Sequence, residues 1–435
     1  MSSSDRPLPW YAGITAAQWL VLVVASAGWV FDVYEGQLFT IFKTPALGDL
    51  LGLGETQLRD PDAQGKIDWH ANVGLALFLV GGAVGGLGFA MLGDRIGRVR
   101  VMSLTILVYS AFSALTAFAR SVWQVDALRF LVALGTGGEW AVAAALVAET
   151  FPPRARAFAS GAFHASSVLR AGLASVTGYY LAGQGGWRWG FLLGLAPALL
   201  VLAIRLGLRE PEGWTRARAA QVEQGGRLGS LAELLADSRW RSRAWIGLGL
   251  AAVGLGTYWG IFAWGPELVH DVLGPGVPAE ERRAKASVAY LLMNFTGGLL
   301  GLLAFAPLAT RAGRRPAFLA YHLGALALVP ATFLGARTYA QTLWLLPAMA
   351  FFVVGLHAGY AVYFPELFPT RLRATGASFC FNVGRLLGGA ILLVRGSLRA
   401  YLDLRHAVVA MAGLFLVGLA LLAFAPETKD AALPE

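Results

Sequence analysis

The sequence predicts an all-α membrane protein: twelve transmembrane helices in two six-helix halves related by pseudo-symmetry. Three observations lead there. Of 435 residues, 57% are hydrophobic and only 14% charged, whereas soluble domains carry about 25% charged residues. Twelve apolar runs follow one another, each near the roughly 20 residues that a membrane helix needs. Short motifs recur at matching places in the two parts of the chain.

The runs lie at 15–42, 70–92, 101–119, 122–148, 157–182, 187–208, 243–270, 286–309, 316–335, 341–364, 374–397 and 403–424. The first is long enough to tilt or break. The segment from Met1 to Tyr11 is polar and contains proline, and the run after it is too long for a cleavable signal, so this run is expected to insert as the first membrane helix. Lysine and arginine cluster at 95–100, 154–156, 209–243, 311–315 and 371–373. Positive charge is retained on the cytoplasmic side of membranes, which predicts that both termini are cytoplasmic. The polar stretch 210–241 is the one long connection on that side. The expected domains are therefore 1–208 and 243–435, joined by a linker at 209–242.

Several function classes drop out. The formal charge of +9 is spread over loop clusters between apolar runs, so no nucleic-acid partner is expected. Cys380 is the sole cysteine, so one chain cannot build a disulfide framework. There is no phosphate-binding loop and no His-Glu-x-x-His run, and the glycines at 81–88 lie inside an apolar run, where they serve helix packing. No nucleophile–base pair stands out, so no enzyme, cofactor or metal is expected. The core closes within one chain, which points to a monomer.

The repeat is specific. Gly93-Asp94-Arg95-Ile96-Gly97-Arg98-Val99-Arg100 follows the second run, and Thr310-Arg311-Ala312-Gly313-Arg314-Arg315 follows the eighth. Glu149-Thr150-Phe151-Pro152-Pro153-Arg154-Ala155-Arg156 follows the fourth, and Pro365-Glu366-Leu367-Phe368-Pro369-Thr370-Arg371-Leu372-Arg373 the tenth. Basic loops recur in any membrane protein, but a shared acid–proline–arginine order marks a duplicated unit.

Ionisable residues deep in membrane helices cost several kcal/mol and mark cavities and partners. The deep ones here are Asp32, Glu35, Arg129, Glu139, His164, Arg170, His357 and Arg385. Asp32 and Glu35 are three apart and share a helix face. Arg170 and Arg385 lie near the middles of the fifth and eleventh runs, with Asn382 one turn before Arg385. Neither has an acid in its local sequence, and two planar guanidinium groups from opposite halves suit a clamp on a carboxylate. Asn294, Tyr258, Tyr360 and Tyr363 are polar or aromatic lining. His164 and His357 either titrate near neutral pH or serve packing.

Residues 93–100 resemble the loop signature of the major facilitator superfamily. Arg129 followed by Gly135-Thr136-Gly137-Gly138-Glu139 is similar to its helix 4 signature. Residues 365–373 followed by Ala374-Thr375-Gly376 resemble the helix 10–11 signature of its sugar-porter and metabolite–proton symporter branches. The likeness covers essentially the whole chain. It implies a gate built from Asp94, Arg95 and Arg98, with Glu149, Glu366 and Arg373 in the matching motifs. Glu139 belongs either to that gate or to a proton exit path. Thr310 departs from the pattern, which often has Asp there, so the gate is expected to be asymmetric. Proton-coupled sugar porters carry a helix 1 acid and a helix 4 arginine. That makes Asp32 the first choice for proton carrier, Glu35 the second, and Arg129 the partner. Organic-anion carriers of the related branch tend to have arginine at the place of Arg385.

The expected function is proton-coupled symport of a small organic anion, a carboxylate, by alternating access in a bacterial inner membrane. Its partners are then an anionic small molecule, protons and the lipid bilayer. Arg170, Arg385, Asn382, Asn294, Tyr258, His357 and Tyr360 are the expected substrate contacts. A sugar or polyol porter, or an uncoupled facilitator, is the alternative.

Overall fold

The computed structural model describes residues 9–54, 57–181, 186–223 and 226–435, and the side chains of all of these but 59, 391–397, 399 and 400. The polar N-terminal segment up to residue 8 lies outside the described residues. All regular structure among the described residues is helical. Twelve helices run in order: α1 (Ala16–Leu50), α2 (Pro61–Ile96), α3 (Arg98–Thr116), α4 (Val122–Thr150), α5 (153–181), α6 (Trp187–Gly207), α7 (Ser238–Leu273), α8 (Ala279–Ala312), α9 (Arg314–Gly335), α10 (Tyr339–Leu367), α11 (373–401) and α12 (Leu404–Phe424). All but α5 and α11 are long and apolar enough by themselves to cross a membrane. Those two carry His164, Arg170, Asn382 and Arg385, and their α-geometry is broken by a 3-10 turn at Ser166–Val168 and a π turn at Phe379–Val383. Polar residues inside a membrane helix, and π turns, both concentrate at functional sites.

Two helices begin well before their apolar runs. Expected from 70 and 286, α2 and α8 start at Pro61 and Ala279. At α2 the reason is local: Asp60 accepts the amide of Asp62 at 3.0 Å and Pro61 presets the first turn. Hydropathy is blind to such polar turns, which need no lipid. Between the halves, the linker forms two short helices, Glu212–Glu223 and Leu231–Ala236.

The duplication goes deeper than the motifs. α4 starts at Ser121, whose side chain accepts the Gln124 amide, while Gln124 accepts the Arg120 amide at 2.7 Å. α10 starts the same way, with Thr338, Gln341 and the Arg337 amide, also at 2.7 Å. Arg188 at the start of α6 donates to Ala117 and Ala119 carbonyls, and Arg405 at the start of α12 donates to those of Phe333 and Ala336. Gly85 of α2 lies against the Leu134 backbone of α4, and Gly301 of α8 against the Phe351 backbone of α10. A Cβ at either glycine would overlap a carbonyl. This is the close approach that lets helices pack where no hydrophobic drive acts between them.

α4 runs through the centre of its half, with every residue from Gly135 to Ala148 buried. The end of the bundle that carries the four arginine-rich motifs and the linker is called here the basic end. Midway along α4 the halves are pressed together: Asn382 of α11 donates to the Gly137 carbonyl of α4 at 3.0 Å, and Trp140 stacks on Phe381 with ring centroids 3.8 Å apart. Toward the opposite end, a cavity of about 630 Å³ opens between α1 and α5 of one half and α7 and α8 of the other.

Candidate functional site

At the basic end, Asp94 closes α2 onto the first turn of α11. Its carboxylate accepts the amides of Ala374 (3.1 Å) and Thr375 (2.9 Å) and the Thr375 hydroxyl (2.5 Å), and pairs with Arg98 at 2.8 Å. A carboxylate at a helix N-terminus faces unsatisfied amides and the positive end of the dipole. Arg98 also pairs with Glu149 at 2.9 Å and donates to the Thr370 carbonyl of the other half at 2.8 Å. Arg373 completes the group by reaching back across to Glu149 at 2.7 Å. Arg95 turns away from these acids and holds the linker by the carbonyls of Leu228 and Gly229.

The second half repeats the internal ties without the crossing one. Arg314 pairs with Glu366 at 2.8 Å, as Arg98 does with Glu149. Glu427 accepts the amides of Arg314 (2.9 Å) and Arg315 (3.0 Å), as Glu210 accepts those of Arg98, Val99 and Arg100. Burial alone would raise the Glu427 carboxyl, but the amides of Arg314, Lys429, Arg315 and Thr428 outweigh it and hold it below its ordinary value. Thr310, at the place of Asp94, donates to the Ala306 carbonyl of its own helix at 2.8 Å.

Deeper in, the charged layer is arranged differently from the expected Asp32–Arg129 pairing. Arg129 pairs with Glu35 at 3.1 Å, both almost fully buried, with its guanidinium over the rings of Phe39 and Phe78. Asp32 points elsewhere. Its Oδ2 has no hydrogen-bond partner among the described residues, and the charges it feels are Arg385 and Glu35. Glu139 stands apart from the arginines of the basic end: it lies against Gly28 of α1, beside Tyr109 and in the field of Asp32. Ten residues of helix, about 15 Å, separate it from Glu149. It therefore belongs with the buried acids rather than with the gate arginines.

The two arginines expected to form a clamp keep different company. Arg170 lines the cavity and donates to the Ser167 carbonyl (3.1 Å) and the Tyr258 hydroxyl (2.9 Å). Arg385 reaches across from α11 onto α2, where only the missing side chain of Gly82 leaves room for it, and its Nε and Nη2 have no partner among the described residues. Asn294 lines the cavity from a π turn at Met293–Gly298. Asn382 is committed to the Gly137 carbonyl and Ser378, and Tyr360 is fully buried with its hydroxyl on the Leu250 carbonyl. His357 packs beside Tyr258, their ring centroids 5.3 Å apart.

Three groups escaped sequence reasoning. Arg283 and His270 line the cavity, but both sit outside the apolar runs as drawn or at their edge, where charge reads as loop. His70 and Asp126 form a buried pair at 2.8 Å between α2 and α4. They are 56 residues apart, and nothing local marks either.

Two six-helix halves, an ion-pair network joining them at one end, buried charges between them and a cavity open at the other end are the architecture of a membrane carrier. The Major Facilitator Superfamily profile matches residues 19–393. A probable 4-methylmuconolactone transporter of Cupriavidus pinatubonensis is 30% identical over 98% of this chain and 94% of its own. A cis,cis-muconate transport protein of Acinetobacter baylyi is 29% identical over 72% of this chain and 74% of its own. Among solved structures, the proton:xylose symporter XylE has a TM-score of 0.72 at 18% identity, covering 96% of this chain and 98% of its own, which is a likeness of fold. The chain belongs to the major facilitator superfamily and is a multi-pass membrane transporter, not an enzyme.

Proposed function

We propose that this transporter moves a small organic anion, a carboxylate, together with protons. The observation that carries the reading is the cavity between the halves: Arg170, Arg283 and His270 line it, and among the described residues no Asp or Glu does. A low-dielectric recess lined by one sign of charge concentrates ions of the other. A neutral sugar offers two guanidinium groups no charge to pair with. Relatives named for muconate and for a muconolactone support the same class.

Proton coupling rests on the buried acids. Asp32 carries the proton: it lies beyond ion-pair distance of any cation among the described residues, beside both Glu139 and Arg385. Glu35, three residues along the same helix and paired with Arg129 inside the same half, is the second acid able to take up the proton. Residues 1–208 and 243–435 move as units about the 209–242 linker, in a monomer. The basic end is cytoplasmic and carries both termini, in a bacterial inner membrane, and the cavity faces outward.

Purified protein in proteoliposomes provides the test. With acid outside, cis,cis-muconate or benzoate accumulates and an uncoupler releases it. Asp32→Asn abolishes accumulation and keeps counterflow exchange. Accumulation of xylose with no carboxylate uptake would replace this reading with a sugar porter. Full accumulation by Asp32→Asn would remove Asp32 as carrier.

A further inference from the structure

Below Arg170, two histidines from opposite halves face one another with complementary hydrogen-bonding ends. His164 of α5 and His357 of α10 have ring centroids 6.4 Å apart, with planes only 15° from parallel. An indole N–H can only donate. The Trp140 Nε1 contact to His164 Nδ1, at 3.1 Å, therefore makes that Nδ1 an acceptor and puts the proton of the neutral ring on Nε2. A carbonyl can only accept. The 3.0 Å contact of His357 Nδ1 with the Val354 carbonyl therefore puts the proton on Nδ1 and leaves Nε2 as an acceptor. That Nε2 is buried and has no hydrogen-bond partner among the described residues. Leaving such an atom unpaired costs about 1–3 kcal/mol, so one is rarely kept without a use.

The surroundings connect the pair to the cavity. Arg170 donates to the Tyr258 hydroxyl, and the Tyr258 ring lies against His357. Trp29 lies 5.5 Å from His164, ring to ring. Aromatic rings thus flank the pair, which presents one donor and one acceptor from opposite halves.

We propose that His164 and His357 form a hydroxyl-reading subsite. The His164 Nε2–H donates to the oxygen of a substrate hydroxyl, and His357 Nε2 accepts the hydrogen bond from that same hydroxyl. A hydroxyl is the small group that supplies both functions from one atom. The preferred cargo is then a hydroxy acid, held by its carboxylate at Arg170. Because the contact joins the two halves, it forms only when they close around the substrate. The inference rests on the carboxylate reading of the cavity.

The test compares matched acids in proteoliposomes: 3-hydroxybenzoate with benzoate, and lactate with propanoate. The wild type favours the hydroxy acid by about tenfold or more in at least one pair. His357→Phe, which removes the acceptor, brings that ratio toward one. His357→Gln, whose side-chain oxygen reaches the same region, restores part of it. Equal uptake within both pairs by the wild type, or an unchanged ratio in His357→Phe, overturns the subsite and leaves the anion reading standing. Uptake of none of the four acids overturns the subsite, and with it the anion reading if cis,cis-muconate is not accumulated either.

Discussion

Replacing Asp94 by Asn removes the charge that ties α2 to α11 and leaves Arg98 paired with Glu149. No guanidinium is stranded, so the substitution reads the gate rather than the damage of an orphaned ion. Three donors cross to this carboxylate, at 3.1, 2.9 and 2.5 Å. Hydrogen bonds to a charged group contribute about 1.5–3 kcal/mol each, and neutral ones about 1 kcal/mol. Asn keeps one oxygen and turns an amide N–H₂ toward donors, while the dipole contribution at the α11 N-terminus is lost. A net loss of about 3 kcal/mol follows, which is roughly 150-fold in the equilibrium between this state and one open at the basic end. A state populated at about 99% would fall to about 40%. Ser175 lines the cavity at the other end, and Cys380 is buried. In a Cys380→Ser background, Ser175→Cys therefore reports cavity exposure through its rate of reaction with a membrane-impermeant maleimide. Asp94→Asn slows that reaction. Thr310→Val, which loses only a bond within its own helix, leaves the rate as it was. Equal rates with and without Asp94→Asn would refute the assignment of Asp94 as the cross-half latch.

Two further predictions concern stability. Glu35→Gln leaves Arg129 buried without its ion-pair partner, at a cost of about 3–5 kcal/mol; the melting temperature in detergent falls, and Glu35→Gln with Arg129→Gln recovers much of it. For Glu427 the sign follows from its lowered carboxyl: the stabilisation is complete above the ordinary value of 4.5 and fades as pH falls through the lower folded value. The wild type therefore loses melting temperature on acidification below that point, whereas Glu427→Gln is less stable at neutral pH and lacks this component of the acid response.

The helices were legible because apolar length is a one-dimensional property: a run of about 20 residues announces itself without reference to any neighbour. The duplicated motifs were legible for a similar reason, since each is a short contiguous string. Which acid meets Arg129 was not. Asp32 and Glu35 are three residues apart, hence only about 60° apart around the helix, and a modest rotation of α1 decides between them. The structure gives Arg129 to Glu35. Likewise, the depth of Glu139 on α4 suits two roles, and the packing of α1 against α4 is what sets it beside Gly28, among the buried acids. The His70–Asp126 pair, and the opposed tautomers of His164 and His357, arise between helices distant in sequence, where no local pattern exists to be read.

Where the halves agree and where they differ divides scaffold from switch. The arginine–glutamate pairs, helix caps, glycine contacts and outer arginine ties occur twice. Each holds its own half together, and none needs to change as one half moves against the other. Among the contacts made once, those that cross between the halves include Asp94 on the α11 amides, Arg373 on Glu149 and Asn382 on the Gly137 carbonyl. Their breaking and re-forming must accompany any rocking motion. Had Thr310 been an aspartate, a second carboxylate would stand at the matching place near the basic end. With one latch instead of two, less free energy has to be supplied to open that end. A bound ligand can shift such an equilibrium only by its differential affinity for the two states, so a single latch lies within reach of a small substrate.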